Sequence, residues 1–444
     1  MSSTPASAAK SSVREQARAA RTAARRLAML SNDERNSVLL GVVKRTEQNA
    51  VRIIAANAED CRVAEELVRN GKLSQAAFAR LRVTEKTIRE MISRLEEVAR
   101  LEDPIGKRLA TTELDDGLIL YKESCPLGVV AVVFESRPDV VPQVSALAIK
   151  SGNAVLLKGG AEAARTNEFL VELWHETLRE LRVPEAAVTL LQSRADVMEL
   201  LQLKREVDLI VPRGGREFVE YISAQSRVPV LGHGEGICHV YVDRAADLAK
   251  AEAIVLDAKT QYPAACNSAE TLLVHADAAR KFLPNVAAKL KEAGVELRGD
   301  ERAREILSGI DVLPATEADW RAEYADLILA IRVVDSLDAA LEHIAEFGSL
   351  HTESIVTEDA SLAERFLNEV DAAGVYHNAS TRFADGYRYG FGSEVGISNS
   401  KLHARGPMGM EGLTTYKYKL VGDGHIVATY ARGERALRAR KLDT

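Results

Sequence analysis

The chain has 444 residues, 46% hydrophobic and 28% charged, with a formal net charge of −7. That length suggests about three domains and a globular protein with ample core. The charge balance offers nothing to nucleic acid, and no apolar run approaches the ~20 residues of a membrane helix.

Residues 1–30 carry several Arg, Ser and Ala but a single acid, Glu15, which has the flavour of a transit peptide. Val13, Ala17, Ala20 and Ala24 recur at helical spacing, which favours a short disordered lead followed by an amphipathic helix. Helices are expected from about residue 14 to 100. Ser31-Asn32-Asp33-Glu34 forms a capping box ahead of Val38, Leu39, Val42 and Val43, and the pattern continues over 59–68 and 74–98. Residues 101–125 read as an extended hairpin or arm. From 126 to 232 strands alternate with helices. Strands are expected at 128–134, 154–157, 188–191, 208–211 and 228–231, and helices at 138–150, 165–182, 195–202 and 216–225. This implies parallel pairing with right-handed crossovers, a doubly wound α/β sheet that binds ligands beyond the carboxyl ends of its strands. A second α/β segment runs from about 237 to 410, with strands at 239–243, 271–274, 328–334, 354–357 and 375–378. The tail from 413 to 427 reads as extended, with Tyr416, Tyr418 and Leu420 on one face and a turn at Gly422-Asp423-Gly424.

Four scattered cysteines, Cys61, Cys125, Cys238 and Cys266, contain no CxxC pair and read as reduced thiols in a cytoplasmic enzyme. The nine histidines show neither HExxH nor a Cys/His cluster, so no metal is expected. Cys266 stands in a Pro/Ala/Asn turn just before an apolar strand. It reads either as a nucleophile or as a small buried hydrophobe. The dinucleotide fingerprint GxGxxG is missing: the first strand of the sheet runs into Glu135-Ser136-Arg137-Pro138, and the glycine pairs are Gly159-Gly160 and Gly214-Gly215.

Six segments in order carry a resemblance: VFESRPDV at 133–140, KSGNAVLLKGG at 150–160, DLIVPRGG at 208–215, CNSAETLLV at 266–274, NASTRF at 378–383, and KLHARGPM at 401–408 continuing into LTTYK. On these the chain resembles the aldehyde dehydrogenase superfamily, and within it the gamma-glutamyl phosphate reductases, from about residue 14 to the end. The resemblance implies a Rossmann-like cofactor domain, an α/β catalytic domain and a small oligomerisation arm. The corresponding ranges are 1–105 with 126–234, then 235–410, then 106–125 with 411–444. It also implies NADPH-dependent reduction of L-glutamate 5-phosphate to the 5-semialdehyde and phosphate, in proline biosynthesis.

The resemblance makes Cys266 the thiol that forms a thioester, which suits a group that both attacks and leaves well. The Cys266 amide, with Asn267 nearby, would face the oxyanion. Arg137 stands where ordinary members carry an oxyanion-binding Asn. It reads either as a ligand of the substrate phosphate or oxyanion, or as a helix-start residue paired with Asp139. Lys158 matches the lysine that contacts the adenosine ribose, with Gly159 and Gly160 beside it. NAD-preferring members often place a Glu three residues on; here Ala161 stands there and Arg165 lies one turn beyond, which favours NADPH, while Glu162 works against it. Arg213, Gly214 and Gly215 lie at a strand-to-helix turn that suits a pyrophosphate. Glu323 aligns with the Glu that holds the nicotinamide ribose. Asn378, Ser380, Thr381 and Arg382 form a polar loop for the amino-acid end of the substrate, with Arg382 toward its carboxylate. The expected partners are further copies of the chain and, transiently, a separate glutamate 5-kinase that makes the labile acyl phosphate.

The general-base Glu of hydrolytic members has no counterpart in Val230-Leu231-Gly232-His233-Gly234-Glu235-Gly236, although Glu235 lies close by. Two rival readings remain at this level: a hydrolytic aldehyde dehydrogenase and a non-catalytic protein on the same scaffold.

Overall fold

A computed structural model describes residues 12–232 and 234–442. The chain forms two compact units. One comprises residues up to Leu231, Phe391–Gly396 and Met408 onward; the other comprises Gly232–Gly390 and Ile397–Pro407.

The first unit opens with the helices Val13–Leu27, Asn32–Gln48, Ala50–Arg69, Gln75–Leu81 and Glu85–Arg100. Ser12 and Ser31 each close a capping box, with Glu15 and Glu34 respectively, so orphan amides are satisfied on both sides. The buried face of the first helix is Val13, Ala17, Ala20, Ala23, Ala24 and Leu27, the spacing read from the sequence. The lead before it lies outside the described residues.

The parallel sheet of this unit has the order Val188–Leu190, Ala154–Lys158, Val129–Phe134, Leu209–Arg213. In chain order this is 3-2-1-4, so the direction of winding reverses between Val129–Phe134 and Leu209–Arg213. Such a switch point opens a crevice at the carboxyl ends of the strands. All six residues of Val129–Phe134 are buried, which is why that strand reads as an unbroken apolar run.

The expected fifth strand at 228–231 is a correction: only a single bridge, Ile210 to Val230, joins it to the sheet. Pro229 accepts the Ile210 amide and the Leu231 amide donates to the Ile210 carbonyl, but neither Pro229 nor Pro212 has an amide with which to carry the ladder further. The helix expected from 138 begins at Val140. The arm is a four-stranded antiparallel sheet ordered Thr414–Val421, Leu118–Pro126, Arg108–Asp115, Arg440–Leu442. The extended tail ends at Val421, and Val427–Ala431 is a short helix.

The second unit holds a seven-stranded parallel sheet ordered Leu313–Pro314, Glu296–Gly299, Ile328–Val334, Ala269–His275, Cys238–Val242, Thr352–Val356, Gly374–His377. The helices Leu248–Thr260 and Ala276–Glu292 pack on one face around Val240, Leu272, Val274 and Ile331. Leu337–Phe347 and Ala360–Glu369 cover the other face around Tyr241, Leu273 and Ile355. Among the described residues no helix is long and apolar enough to cross a membrane.

Candidate functional site

In the first unit Lys158, Gly159, Gly160, Arg213, Gly214 and Gly215 lie at the carboxyl ends of the strands that flank the switch point, whereas Glu323 belongs to the second unit. Register puts Val133 opposite both Lys158 and Pro212, and Phe134 opposite Arg213, so the three strands end together. Lys158 donates its Nζ to the Gly159 carbonyl. Gly159 has no room for a side chain: a Cβ would lie 2.2 Å from Asn167 Nδ2 and 3.1 Å from the Phe134 ring.

The two helices that leave these strands begin differently. At Ala164–Glu180, Asp60 accepts from the Arg165 amide at 3.3 Å and from the Thr166 amide and hydroxyl at 2.8 and 2.7 Å. Those orphan donors are already taken. At Arg216–Gln225 the N-cap is Gly215, which supplies no side-chain cap, and a Cβ there would meet nothing within 4 Å. Open space over uncapped amides fits a phosphate group, so the residues present suit a dinucleotide at this end of the sheet. Arg165 is more than half exposed and lies 3.7 Å from Glu59. Glu162 is engaged by Ser136, whose amide and hydroxyl both donate to Oε1 at 2.7 Å. Asp139 pairs with Arg94 at 3.7 Å; Arg137 has no side-chain ion pair among the described residues, so the alternative pairing of Arg137 with Asp139 is not formed.

In the second unit Cys266 is half-buried in the turn that feeds the amino end of Ala269–His275. Its own amide and that of Asn267 donate to no protein acceptor among the described residues, whereas the Ser268 amide closes the turn on the Ala265 carbonyl at 2.9 Å. Gly236 lies flush against this turn: a Cβ there would be 2.0 Å from the Cys266 carbonyl oxygen and 2.8 Å from its Cα. Burial pushes the thiols of Cys61 and Cys125 up, and that of the fully buried Cys238 well up, so these three are held protonated. Cys238 Sγ reaches the Cys266 carbonyl at 3.4 Å, as a packing thiol.

The predicted substrate loop meets the thiol turn. Asn267 is buried, donates Nδ2 to the Ala384 carbonyl at 2.7 Å, and leaves its Oδ1 buried without a partner. Ser380 accepts the Arg382 amide, and Thr381 is fully buried. Arg382 donates Nε to Gln261 at 3.0 Å. Burial, then Arg388, lowers the pKa of its guanidinium, while Cys266, Asp385 and Asp257 favour the charged form. Asn378 turns away from that role. It adopts φ +52 and exchanges hydrogen bonds with the Thr357 backbone through both side-chain atoms. In the KLHARGPM segment, Lys401 and Arg405 both pair with Asp371, a structural use.

Sequence reasoning missed a buried ion pair next to the thiol turn. Lys259 Nζ lies 2.7 Å from Glu270 Oε2, and the two side chains are 0% and 1% exposed. Burial raises Glu270 to about 7, opposed by Lys259, and burial lowers Lys259. The other Glu270 oxygen accepts the Ala325 amide at 3.2 Å, and Ala325 sits at φ +51. Glu323, two residues before, is half-buried and acts on Glu270 as a like charge. The signal was available: Glu270 interrupts a strand whose seven residues are all buried, and such a charge requires a partner.

The model of the aldehyde dehydrogenase family matches residues 2–305. A gamma-glutamyl phosphate reductase of Synechococcus sp. (strain JA-3-3Ab) is 52% identical over 96% of this chain and 94% of that protein. One from Natronomonas pharaonis is 52% identical over 94% of each. Among solved structures, gamma-glutamyl phosphate reductase from Thermotoga maritima superposes with a TM-score of 0.89 at 41% identity, covering 94% of this chain and 100% of that one. An acetylating aldehyde dehydrogenase from Geobacillus thermoglucosidasius shares the fold at 20% identity and a TM-score of 0.65, over 93% and 97%.

Proposed function

The chain belongs to the gamma-glutamyl phosphate reductases of the aldehyde dehydrogenase family, and we propose that it reduces L-glutamate 5-phosphate to the 5-semialdehyde with NADPH, through a thioester on Cys266. The names of its relatives support the substrate, and with it a place in proline biosynthesis. The family implies a nicotinamide cofactor.

The observation that carries the thioester reading is the half-exposed Cys266, whose own amide and that of Asn267 are unspent. The thiolate attacks the acyl carbon, the C–O bond to phosphate breaks, and phosphate leaves with the electron pair. The amides of Cys266 and Asn267, which donate to no protein acceptor among the described residues, would take the oxyanion of the tetrahedral intermediate. Arg382 neutralises the substrate α-carboxylate, and Arg137 is the candidate for the phosphate. When bound, the cofactor supplies the hydride that converts the thioester to the aldehyde level. Collapse of the thiohemiacetal then returns the thiol and releases the aldehyde. Lys158, Arg165 and the uncapped turn at Gly214-Gly215 would hold the adenosine ribose, its 2′-phosphate and the pyrophosphate. Glu323 would hold the nicotinamide ribose. The arm presents Tyr416, Tyr418 and Leu420 at 47%, 60% and 58% exposure on an edge strand, which supports a homo-oligomer.

Cys266→Ser tests the thioester. Turnover is expected to fall by roughly a thousandfold while NADPH still binds. Near-wild-type turnover would overturn it.

A further inference from the structure

We propose that Ser136 sets cofactor choice by withholding the Glu162 carboxylate from the adenosine ribose; the inference rests on the adenosine site lying at the carboxyl end of Ala154–Lys158. Glu162 is four residues past Lys158, in the turn that starts over Gly160. Its carboxylate folds back directly above that glycine, so that a Cβ on Gly160 would lie 2.0 and 2.2 Å from the two carboxylate oxygens. Glu162 stands one residue past Ala161, and a free carboxylate there would accept a 2′-hydroxyl and repel a 2′-phosphate. Here it is held elsewhere.

Ser136 stands just beyond the neighbouring strand, is 2% exposed, and takes φ +44, a conformation uncommon for a residue with a Cβ. In that conformation its amide and hydroxyl both point at Glu162 Oε1, each at 2.7 Å. Two donors on one carboxylate oxygen make a charge-assisted clamp. The clamp joins the loops that follow two adjacent strands. It keeps the carboxylate where it satisfies protein amide and hydroxyl, while Lys158 and Arg165 remain the cations of the ribose end. Ser136 therefore acts as a positioning residue: it works through Glu162.

The test is a fluorescence titration of the full chain with NADPH and with NADH, read as the ratio of dissociation constants. Ser136→Gly tolerates φ +44, keeps the amide and removes the hydroxyl. Loss of one charge-assisted bond should move the ratio about tenfold toward NADH. Adding Glu162→Gln to that variant should return the ratio to the wild-type value. A purely structural role for Ser136 would weaken both cofactors together and leave the ratio fixed. Glu162→Gln alone should shift the ratio by less than about twofold, because the carboxylate is already withheld; this readout stands even where Ser136→Gly folds poorly. The inference is overturned by an unchanged ratio in folded Ser136→Gly, or by a tenfold gain in NADPH preference in Glu162→Gln. A wild-type chain that binds NADH as well as NADPH would overturn both the inference and the NADPH reading beneath it. An unchanged Ser136→Gly ratio in an NADPH-preferring protein sinks the inference alone.

Discussion

Gly236→Ala is the most exacting perturbation of the thiol turn. The added methyl would sit 2.0 Å from the Cys266 carbonyl oxygen, 2.7 Å from its carbonyl carbon and 2.8 Å from its Cα. All three are backbone atoms, so no side chain can swing aside. Relief requires the Cys266 turn to move by about an ångström, since carbon–oxygen contacts relax only near 3 Å or beyond. Overpacking of this kind costs about 1–3 kcal/mol of stability. A displacement of about 1 Å at a nucleophile costs on the order of a hundredfold in turnover. The expected result is therefore a modest loss of stability with a large loss of kcat. The assay pairs steady-state kinetics with the rate of Cys266 alkylation by iodoacetamide, which reads the thiol without substrate. Gly309→Ala is the control, since a Cβ there meets nothing within 4 Å. Wild-type kcat and alkylation rate in a folded Gly236→Ala would refute the argument that this glycine exists to seat the thiol turn.

Three further outcomes follow from the second unit and from the chemistry. Glu270→Ala leaves Lys259 buried without its counter-ion and should cost about 3–5 kcal/mol in denaturant unfolding, whereas Lys259→Met with Glu270→Leu should restore most of it. An equal cost for the single and double variants would count against the pair. His343 accepts from Arg332 at 2.7 Å on Nδ1, so its proton is on Nε2, and burial lowers it to about 2. The unfolded chain binds that proton below ~6.5, so the stability it contributes is full above ~6.5 and falls by about 1.4 kcal/mol per unit as pH drops toward 2. His343→Leu should flatten that acid limb in a pH series of melting curves, and an unchanged slope would contradict the assignment. Ala161→Glu should move cofactor preference toward NADH by placing a carboxylate at the 2′-position, and an unmoved NADPH/NADH ratio of kcat/KM would displace the adenosine site from Lys158.

Much of the architecture was legible because burial on both faces writes itself into the strands. Val129–Phe134 and Leu209–Arg213 are apolar runs between helical patterns, and that pattern admits few topologies. The strands that escaped, Glu296–Gly299, Leu313–Pro314, Gly396–Ser398, Gly406–Met408 and Arg440–Leu442, are two to four residues long, too short for periodicity to register. Residues 228–231 misled because β-propensity says nothing of the missing Pro229 and Pro212 amides. At the thiol, Cys266 and Arg382 were visible as residue types in distinctive segments. Their coupling through Asn267 and Ala384 was not, since it links positions 117 residues apart. The same holds for Ser136 and Glu162, 26 residues apart, whereas Glu270 announced the need for a partner without saying that it is Lys259.

The central claim is a thioester on Cys266 that only phosphate resolves productively. It is tested most directly by running the reaction in reverse, with pyrroline-5-carboxylate in equilibrium with the semialdehyde and NADP as oxidant. With inorganic phosphate, NADPH should form steadily at a rate that saturates with phosphate. Without phosphate or arsenate, formation should stop at about one equivalent per thiol, as the acylated enzyme accumulates. Steady NADPH formation in phosphate-free, arsenate-free buffer would contradict the account and turn attention to Glu235 as a water-activating base.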